Sequence, residues 1–452
     1  MDILIKASQL ILSLSILVIL HELGHFIPAR LFKTRVEKFY LFFDPWFSLF
    51  KKKVGNTEYG VGWLPLGGYV KISGMIDESM DKEQMKKDPE PWEFRAKPAW
   101  QRLIIMLGGV FVNLILGIVI YTMVLFVWGK EYIPVGALND GMVIHDEFKI
   151  DSSSTINKEW RKFQDGDNII SVDGEVPFDV TEVNKMILLR GARKIKVRHQ
   201  NGVEEIVDLP NNIDDIMFQK DAMRIFSPRV PPIIGEIKED ALGDAKNSDL
   251  EEGDLIVSIN DTAIYYWDNL VRKIQQNKNK KVKVGYKRNG VIAYDDIEVD
   301  GSGILGVQIH DKILSDKIQL KKYSFLESIP AGWNEAIWSL SDYASQFKFV
   351  FTSKGVSSLG GFGTIGGLFK SEWNWQSFWS LTAFLSLMLA FMNLLPIPAL
   401  DGGHVMFLLY EIIAGKPAPE KFMERAQMVG MILLLGLLVF ANGQDIYKAI
   451  FE

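Results

Sequence analysis

The 452-residue chain contains no cysteine. Disulfide staples and thiolate ligands are thereby excluded, so any metal must be held by histidine and carboxylate. Histidine is itself scarce, six in all, so any close pair of them carries information. No block of lysine and arginine forms a duplex-reading face and the net charge is −6, so nucleic acid is not expected as a partner. Long apolar runs are missing from the middle of the chain but not from its ends, where residues 103–128 and 426–444 lack Asp, Glu, Lys and Arg altogether. A composition 48% hydrophobic is high for a soluble enzyme, yet 23% charged is too high for a wholly buried one. Membrane segments around a water-exposed insert satisfy both numbers.

A bilayer core needs roughly 20 helical residues. Four segments qualify: 7–28, 103–128, 378–395, after which Pro396 and Pro398 interrupt an apolar pattern that resumes at 405–413, and 426–444. The first is not expected to be a signal peptide, because no Ala-x-Ala-like site follows it and its apolar run ends in His21 and Glu22. Arg30, Lys33, Arg35, Lys38, Lys51, Lys52, Lys53, Arg95, Lys97 and Arg102 crowd the segment between the first two spans, which places it in the cytoplasm. Both termini and residues 130–376 are then expected on the other side.

That middle region contains an internal repeat: Asp165-Gly-Asp-Asn-Ile-Ile-Ser-Val-Asp-Gly174 and Glu252-Gly-Asp-Leu-Ile-Val-Ser-Ile-Asn-Asp261 share one pattern. Each copy reads as a Gly-Asp turn, an alternating strand, a hairpin turn, a helical stretch and further strands over 194–199 and 281–287. The copies resemble PDZ domains. The resemblance implies capture of peptide C-termini by strand addition, with the carboxylate received at Gly303-Ile-Leu-Gly306-Val307 in the second copy. The matching end of the first copy, Met223 to Phe226, lacks the glycine.

The central motif is His21-Glu22-Leu23-Gly24-His25. On a helix, residues four apart share a face, so both imidazoles can address one metal with Glu22 beside them. Ionisable groups at the end of a membrane span are costly unless they serve a ligand or cavity. Zinc needs a third protein ligand and an open position. Asp401 is the best candidate, because it follows a proline-broken span and precedes Gly402-Gly403, where another backbone can approach closely. His404 lies three residues further on and reads as structural, since three ligands suffice.

HExxH on the first span joined to Asn393-x-x-Pro-x-Pro-x-Leu-Asp401-Gly-Gly on the third resembles the site-2 protease family. The tandem modules between the second and third spans resemble its bacterial regulator-of-sigma-E type. Further matches are Gly67-Gly-Tyr-Val-Lys-Ile-Ser-Gly74, Phe94-Arg-Ala-Lys-Pro-Ala-Trp-Gln-Arg102 and Gly109-x-x-x-Asn113; Val110 stands where the family usually has proline. The resemblance implies a zinc endopeptidase that cuts membrane proteins in or near their transmembrane segments, in the bacterial inner membrane, after a first extracytoplasmic cut. It implies Zn2+ on His21, His25 and Asp401 with Glu22 as general base. Asn393 then either stabilises substrate or oxyanion or caps the broken helix.

The Gly55-Asn56 hairpin over 51–63 follows apolar Trp46, Phe47, Leu49 and Phe50. By the same resemblance it belongs to a membrane-associated sheet whose edge pairs with substrate near Gly67, Gly68 and Tyr69. Residues 323–351 read as an amphipathic helix, lying at the outer interface or packed beneath the modules.

The expected architecture is a multi-pass α-helical membrane protein with four transmembrane helices, a membrane-associated β-hairpin or sheet and two β-rich PDZ-like domains. Its parts are 1–130 with the first two spans, 131–230 and 231–312 as the PDZ-like domains, 313–376 as an amphipathic linker, and 377–452 with the last two spans. The expected partners are membrane-protein substrates, the lipid bilayer, and peptide C-termini at the second PDZ-like domain through Gly303 and Gly306. The alternative is a catalytically silent PDZ scaffold, which a missing ligand or base would signal; none is missing.

Overall fold

The computed structural model describes residues 2–65, 67–75, 88–149, 162–219, 224–237, 243–310, 312–350, 352, 355–356 and 359–451. The chain divides into two compact units, one of residues 1–129 with 322–452 and one of residues 130–321.

Among the described residues of the first unit, four helices are long and apolar enough to cross a membrane: Asp2–Leu31, Ala99–Trp128, Trp375–Leu394 and Glu420–Phe451. The fourth runs past Asp445, where the apolar pattern stops, because that carboxylate accepts the amides of Gly361 and Thr364 at 3.0 and 2.9 Å. The third starts where Asn374 caps the Ser377 amide at 2.8 Å. It ends at Leu394, since Pro396 and Pro398 have no amide to continue the helix, and the chain becomes helical again over Asp401–Ala414.

The first two spans cross without side chains between them. A Cβ on Gly24 would collide with the Gly108 carbonyl, and one on Gly108 with the Gly24 carbonyl. Small residues of this kind let membrane helices approach to backbone contact. The amphipathic helix Phe325–Val350 lies along the second and third spans. Its Gly332 abuts Thr122, Ala336 is buried with Ile120, Tyr121 and Val124, and Tyr343 meets Phe384 and Phe391 edge-on.

Between the first two spans lies a four-stranded sheet in the order Phe50–Val54, Thr57–Val61, Val36–Leu41, Tyr69–Ile72. The hairpin closes on Gly55-Asn56 as its sequence requires, with Val54 opposite Thr57 and Gly55 at φ 62°. Val36–Leu41 runs parallel to Thr57–Val61 and antiparallel to Tyr69–Ile72, which forms one outer edge.

The second unit holds two modules, each with its own apolar core. One is built on Ile169, Val172, Val183, Ile195, Val207 and Phe226, the other on Ile256, Ile259, Leu270, Val282, Val284 and Ile297. Strand Lys130–Tyr132 pairs with Gln319–Lys321, so entry and exit of the chain are tied together. That pairing brackets the second unit at residues 130 and 321.

The repeat is structural down to single residues. Gly166 and Gly253 share positive φ, Asp173 and Asn260 share the left-handed conformation, and their side chains accept the amides of Lys194 and Lys283. The buried Asp167 and Asp254 occupy matching places, accepting the amides of Gln164 and Glu251. Their charge partners differ: His199 at 2.8 Å in the first module, Arg288 at 2.7 Å in the second.

Stability should therefore depend on pH differently in the two modules. The Asp167 hydrogen bond raises the His199 pKa, and burial raises that of Asp167. Both raised values favour the fold at low pH and lose their contribution as pH climbs through them. Burial pushes Asp254 up, but the Arg288 hydrogen bond overcomes it and holds the carboxyl low, so its contribution is lost only in acid. Hydrogen exchange on the full chain, corrected for intrinsic rates, should show Asn168–Val172 losing protection relative to Leu255–Ile259 as pH rises through and above the ordinary histidine range. A ratio flat across that range in the native chain would refute the assignment.

Candidate metal centre

The HExxH motif lies within the first span, so His21 and His25 face the second span one turn apart. Asp401 opens the half-helix that follows the proline break. His21 Nε2 and Asp401 Oδ2 are 3.2 Å apart, His25 Nε2 and Asp401 Oδ2 3.3 Å, and the two imidazole nitrogens 3.3 Å. A triangle with these edges is one face of a tetrahedron whose centre lies about 2.0 Å from each corner, the bond length of zinc to imidazole nitrogen and carboxylate oxygen. No other such group of His, Asp and Glu converges among the described residues.

Hydrogen bonds on the far side of the rings fix what they present to that point. His25 Nδ1 donates to the Ile105 carbonyl at 2.8 Å, which leaves a lone pair on Nε2. His21 Nδ1 faces the side-chain amide of the fully buried Asn113 at 3.1 Å. With Nδ2 toward the ring, Asn113 Oδ1 is left buried without a partner. A half-turn of the amide exchanges the two atoms, and Oδ1 then accepts from His21 Nδ1–H, freeing Nε2 as a ligand. Asp401 Oδ2 is likewise buried without a hydrogen bond. Three electron pairs aimed at one point repel unless a cation lies among them, so the residues fit zinc.

Room for the rings comes from Gly109, where a Cβ would strike His25 Nε2 and the His21 imidazole. Ile105, Gly109 and Asn113 are all buried and follow at intervals of four, so one stripe of the second span supplies the carbonyl, the gap and the amide. In the sequence Asn113 stands out only as part of a motif; the signal for its role is its position, a lone amide inside an uncharged run of a membrane span.

The trio lines a cavity of about 460 Å³ with Glu22, the strand Tyr69–Ile72 and Ala399. Glu22 follows His21 on the helix, and Gly68 lets the sheet edge reach it: a Cβ there would strike the Tyr40 carbonyl and Val18 and lie 3.5 Å from Glu22 Cγ. Gly67 packs under the Phe43 ring, and Tyr69 donates to Asp44 at 2.9 Å. Asn393 Nδ2 lies 3.3 Å from His21 Nε2, within the centre. His404 also lines the cavity but stands outside the ligand triangle, 2.6 Å from Gln427 of the fourth span.

Gly303 and Gly306 belong to the other unit, both at positive φ in the turn that ends the second module. Gly235 donates to the Gln308 carbonyl, while among the described residues no acceptor meets the amides of Gly306 and Val307. In the first module the matching amides are those of Ile225 and Phe226, and both donate to Asn184 Oδ1, at 2.8 and 2.9 Å. A side chain of that module's own helix thus satisfies both amides. Met223, the start of that segment, lies outside the described residues.

A model of peptidase family M50 matches residues 9–437. The chain is similar to the regulator of sigma E protease of Haemophilus influenzae, 26% identical over 472 residues that cover 99% of this chain and 100% of the relative. It is similar to metalloprotease MmpA of Caulobacter vibrioides, 27% identical over 99% of this chain and 98% of that one. Protease RseP of Yersinia pestis is 27% identical over 97% of this chain and 98% of its own.

The Asn113 geometry makes a prediction about metal rather than turnover. Asn113→Leu should weaken zinc binding by roughly 10–100-fold, whereas Asn113→Asp, which still accepts from Nδ1–H, should keep it. Chelator competition on purified protein measures both. Equal affinity in native and Asn113→Leu chains would remove Asn113 from the support of His21.

Proposed function

The chain belongs to peptidase family M50 and is a zinc metalloprotease of the site-2 type; on that premise we propose that it hydrolyses peptide bonds in or beside the membrane-spanning segments of other proteins, after a first cut has trimmed their outer domain. The observation that carries this reading is a ligand triangle set among helices long enough to cross a bilayer, opening beside a sheet edge.

Zinc bound there supplies a Lewis acid that polarises a carbonyl and makes water acidic. His21, His25 and Asp401 hold it. Glu22 takes the proton of the attacking water and passes it to the leaving amine nitrogen. Asn393, its amide 3.3 Å from His21 Nε2, steadies the scissile carbonyl as charge develops on it. A helical substrate hides its peptide bonds, so it must unwind, and the freed amides and carbonyls then need partners inside the membrane. Strand addition along Tyr69–Ile72 provides them, with Gly68 giving that edge its close approach to Glu22 and Gly67 seating it under the Phe43 ring.

The lysines and arginines between the first two spans support a cytoplasmic place for the sheet, an inner-membrane address and an extracytoplasmic place for residues 130–321. The two modules there are PDZ-like. The second receives the new carboxyl end of a trimmed substrate at the amides of Gly306 and Val307, which meet no acceptor among the described residues; the first is closed to it by Asn184.

Two measurements test this. Glu22→Gln should keep its zinc and lose cleavage of a membrane-helix substrate by about 10²–10⁴-fold; turnover close to native would assign the base elsewhere. A substrate helix with a short outer stub should be cut several-fold more slowly when the stub's carboxyl end is amidated. Equal rates for free and amidated stubs would end the carboxylate-capture reading.

A further inference from the structure

The last turn of the first span and the residues after it carry Arg30, Lys33 and Arg35 into one cavity of about 510 Å³, closed by Thr34, by Asn56 from the hairpin turn and by Trp92. Among the described residues no carboxylate lines it and none of the three cations makes an ion pair. Arg30 only approaches the Phe26 ring, at 6.0 Å. Thr34 is 2% exposed and its hydroxyl has no partner. Three like charges sharing a cavity repel one another unless an anion joins them.

The helix end does not supply that negative charge. The carbonyls of Pro28, Ala29 and Arg30 are taken by the amides of Phe32, Thr34 and Lys33, at 2.9, 2.8 and 3.1 Å. Closing the helix this way puts Lys33 at φ 55°, a left-handed position where glycine is the usual residue. A strained lysine is thus held beside two arginines.

The surroundings identify the anion. Ile27 and Leu31, one turn apart on the same span, are 52% and 73% exposed, and Trp92 and Trp100 are exposed beside them, with Trp100 edge-on to Phe32. Apolar residues giving way to aromatic and then basic ones mark the level where a bilayer meets water. We propose that this cavity binds the phosphate headgroup of an anionic phospholipid of the cytoplasmic leaflet, whose acyl chains lie against Ile27 and Leu31. Three cations exceed the charge of one phosphodiester, which selects a headgroup with net negative charge over a zwitterionic one. The inference rests on the reading of these helices as membrane spans and not on the peptidase chemistry.

The test uses the full chain in phosphatidylcholine bilayers, measuring phosphatidylglycerol retained per protein as its fraction is raised. Arg30→Gln/Lys33→Gln/Arg35→Gln should raise the fraction needed for half-saturation roughly ten-fold or more. Lys51→Gln/Lys52→Gln/Lys53→Gln, which removes three charges from the exposed strand Phe50–Val54, should leave it near the native value. Lys33→Gly removes one charge while relieving the backbone, so it keeps the question answerable if the triple variant does not fold, and it should weaken retention roughly five-fold. Zinc content and cleavage in pure phosphatidylcholine should match the native chain throughout. Equal losses in the two triple variants would reduce the effect to net charge, and displacement of the lipid by inorganic phosphate would make the cavity a site for free anion; either overturns the proposal, as would native retention by Lys33→Gly.

Discussion

Everything in the membrane unit depends on the backbone crossing of the first two spans at Gly24, Gly108 and Gly109. Without side chains between them, the second span comes close enough for the Ile105 carbonyl to accept from His25 and for Asn113 to meet His21. Two imidazoles on a helix rotate freely in the absence of such partners. Here both rings are pinned from behind, and the ligand nitrogens have one direction left to point.

Asp401 reaches the same point by a different device. Pro396 and Pro398 stop the third span, and Gly402 and Gly403 let the second half-helix fold back onto the carbonyls of Leu394, Leu395 and Ile397. Ala399 takes a left-handed φ of 79° two residues before the ligand, a strain for a residue with a Cβ. A Cβ on Gly430 of the fourth span would collide with the Pro398 carbonyl, so that span closes directly on the break. A break in a helix, bracketed by close contacts, sets the third corner of the triangle.

The two modules outside the membrane unit started from one pattern and solved its polar problems differently. A buried aspartate with a permanent cation, Asp254 with Arg288, is indifferent to pH over the range where Asp167 with His199 is not. Asn184 takes two amides in the first module whose counterparts in the second, at Gly306 and Val307, meet no acceptor among the described residues. Similar modules therefore differ at this turn: the first satisfies its own amides there.

Local rules in the sequence were enough for the four spans, the Gly55-Asn56 hairpin, the repeat at 165 and 252, and the pairing of His21 with His25, because each follows from a run of apolar residues, a two-residue turn or a four-residue spacing. The same holds for Asp401 as a candidate, since a carboxylate after a broken span needs a reason to be there. Tertiary structure decided the rest. That Asn113 stands behind His21 depends on the angle of a helix crossing, and that Tyr69–Ile72 rather than the hairpin is the sheet edge lining the cavity depends on a strand order no alternation pattern encodes. Asn184 closing the first module, and Arg30, Lys33 and Arg35 meeting Asn56 and Trp92, are contacts between residues far apart in sequence. Their chemistry is written in the residue types, but only folding brings them together.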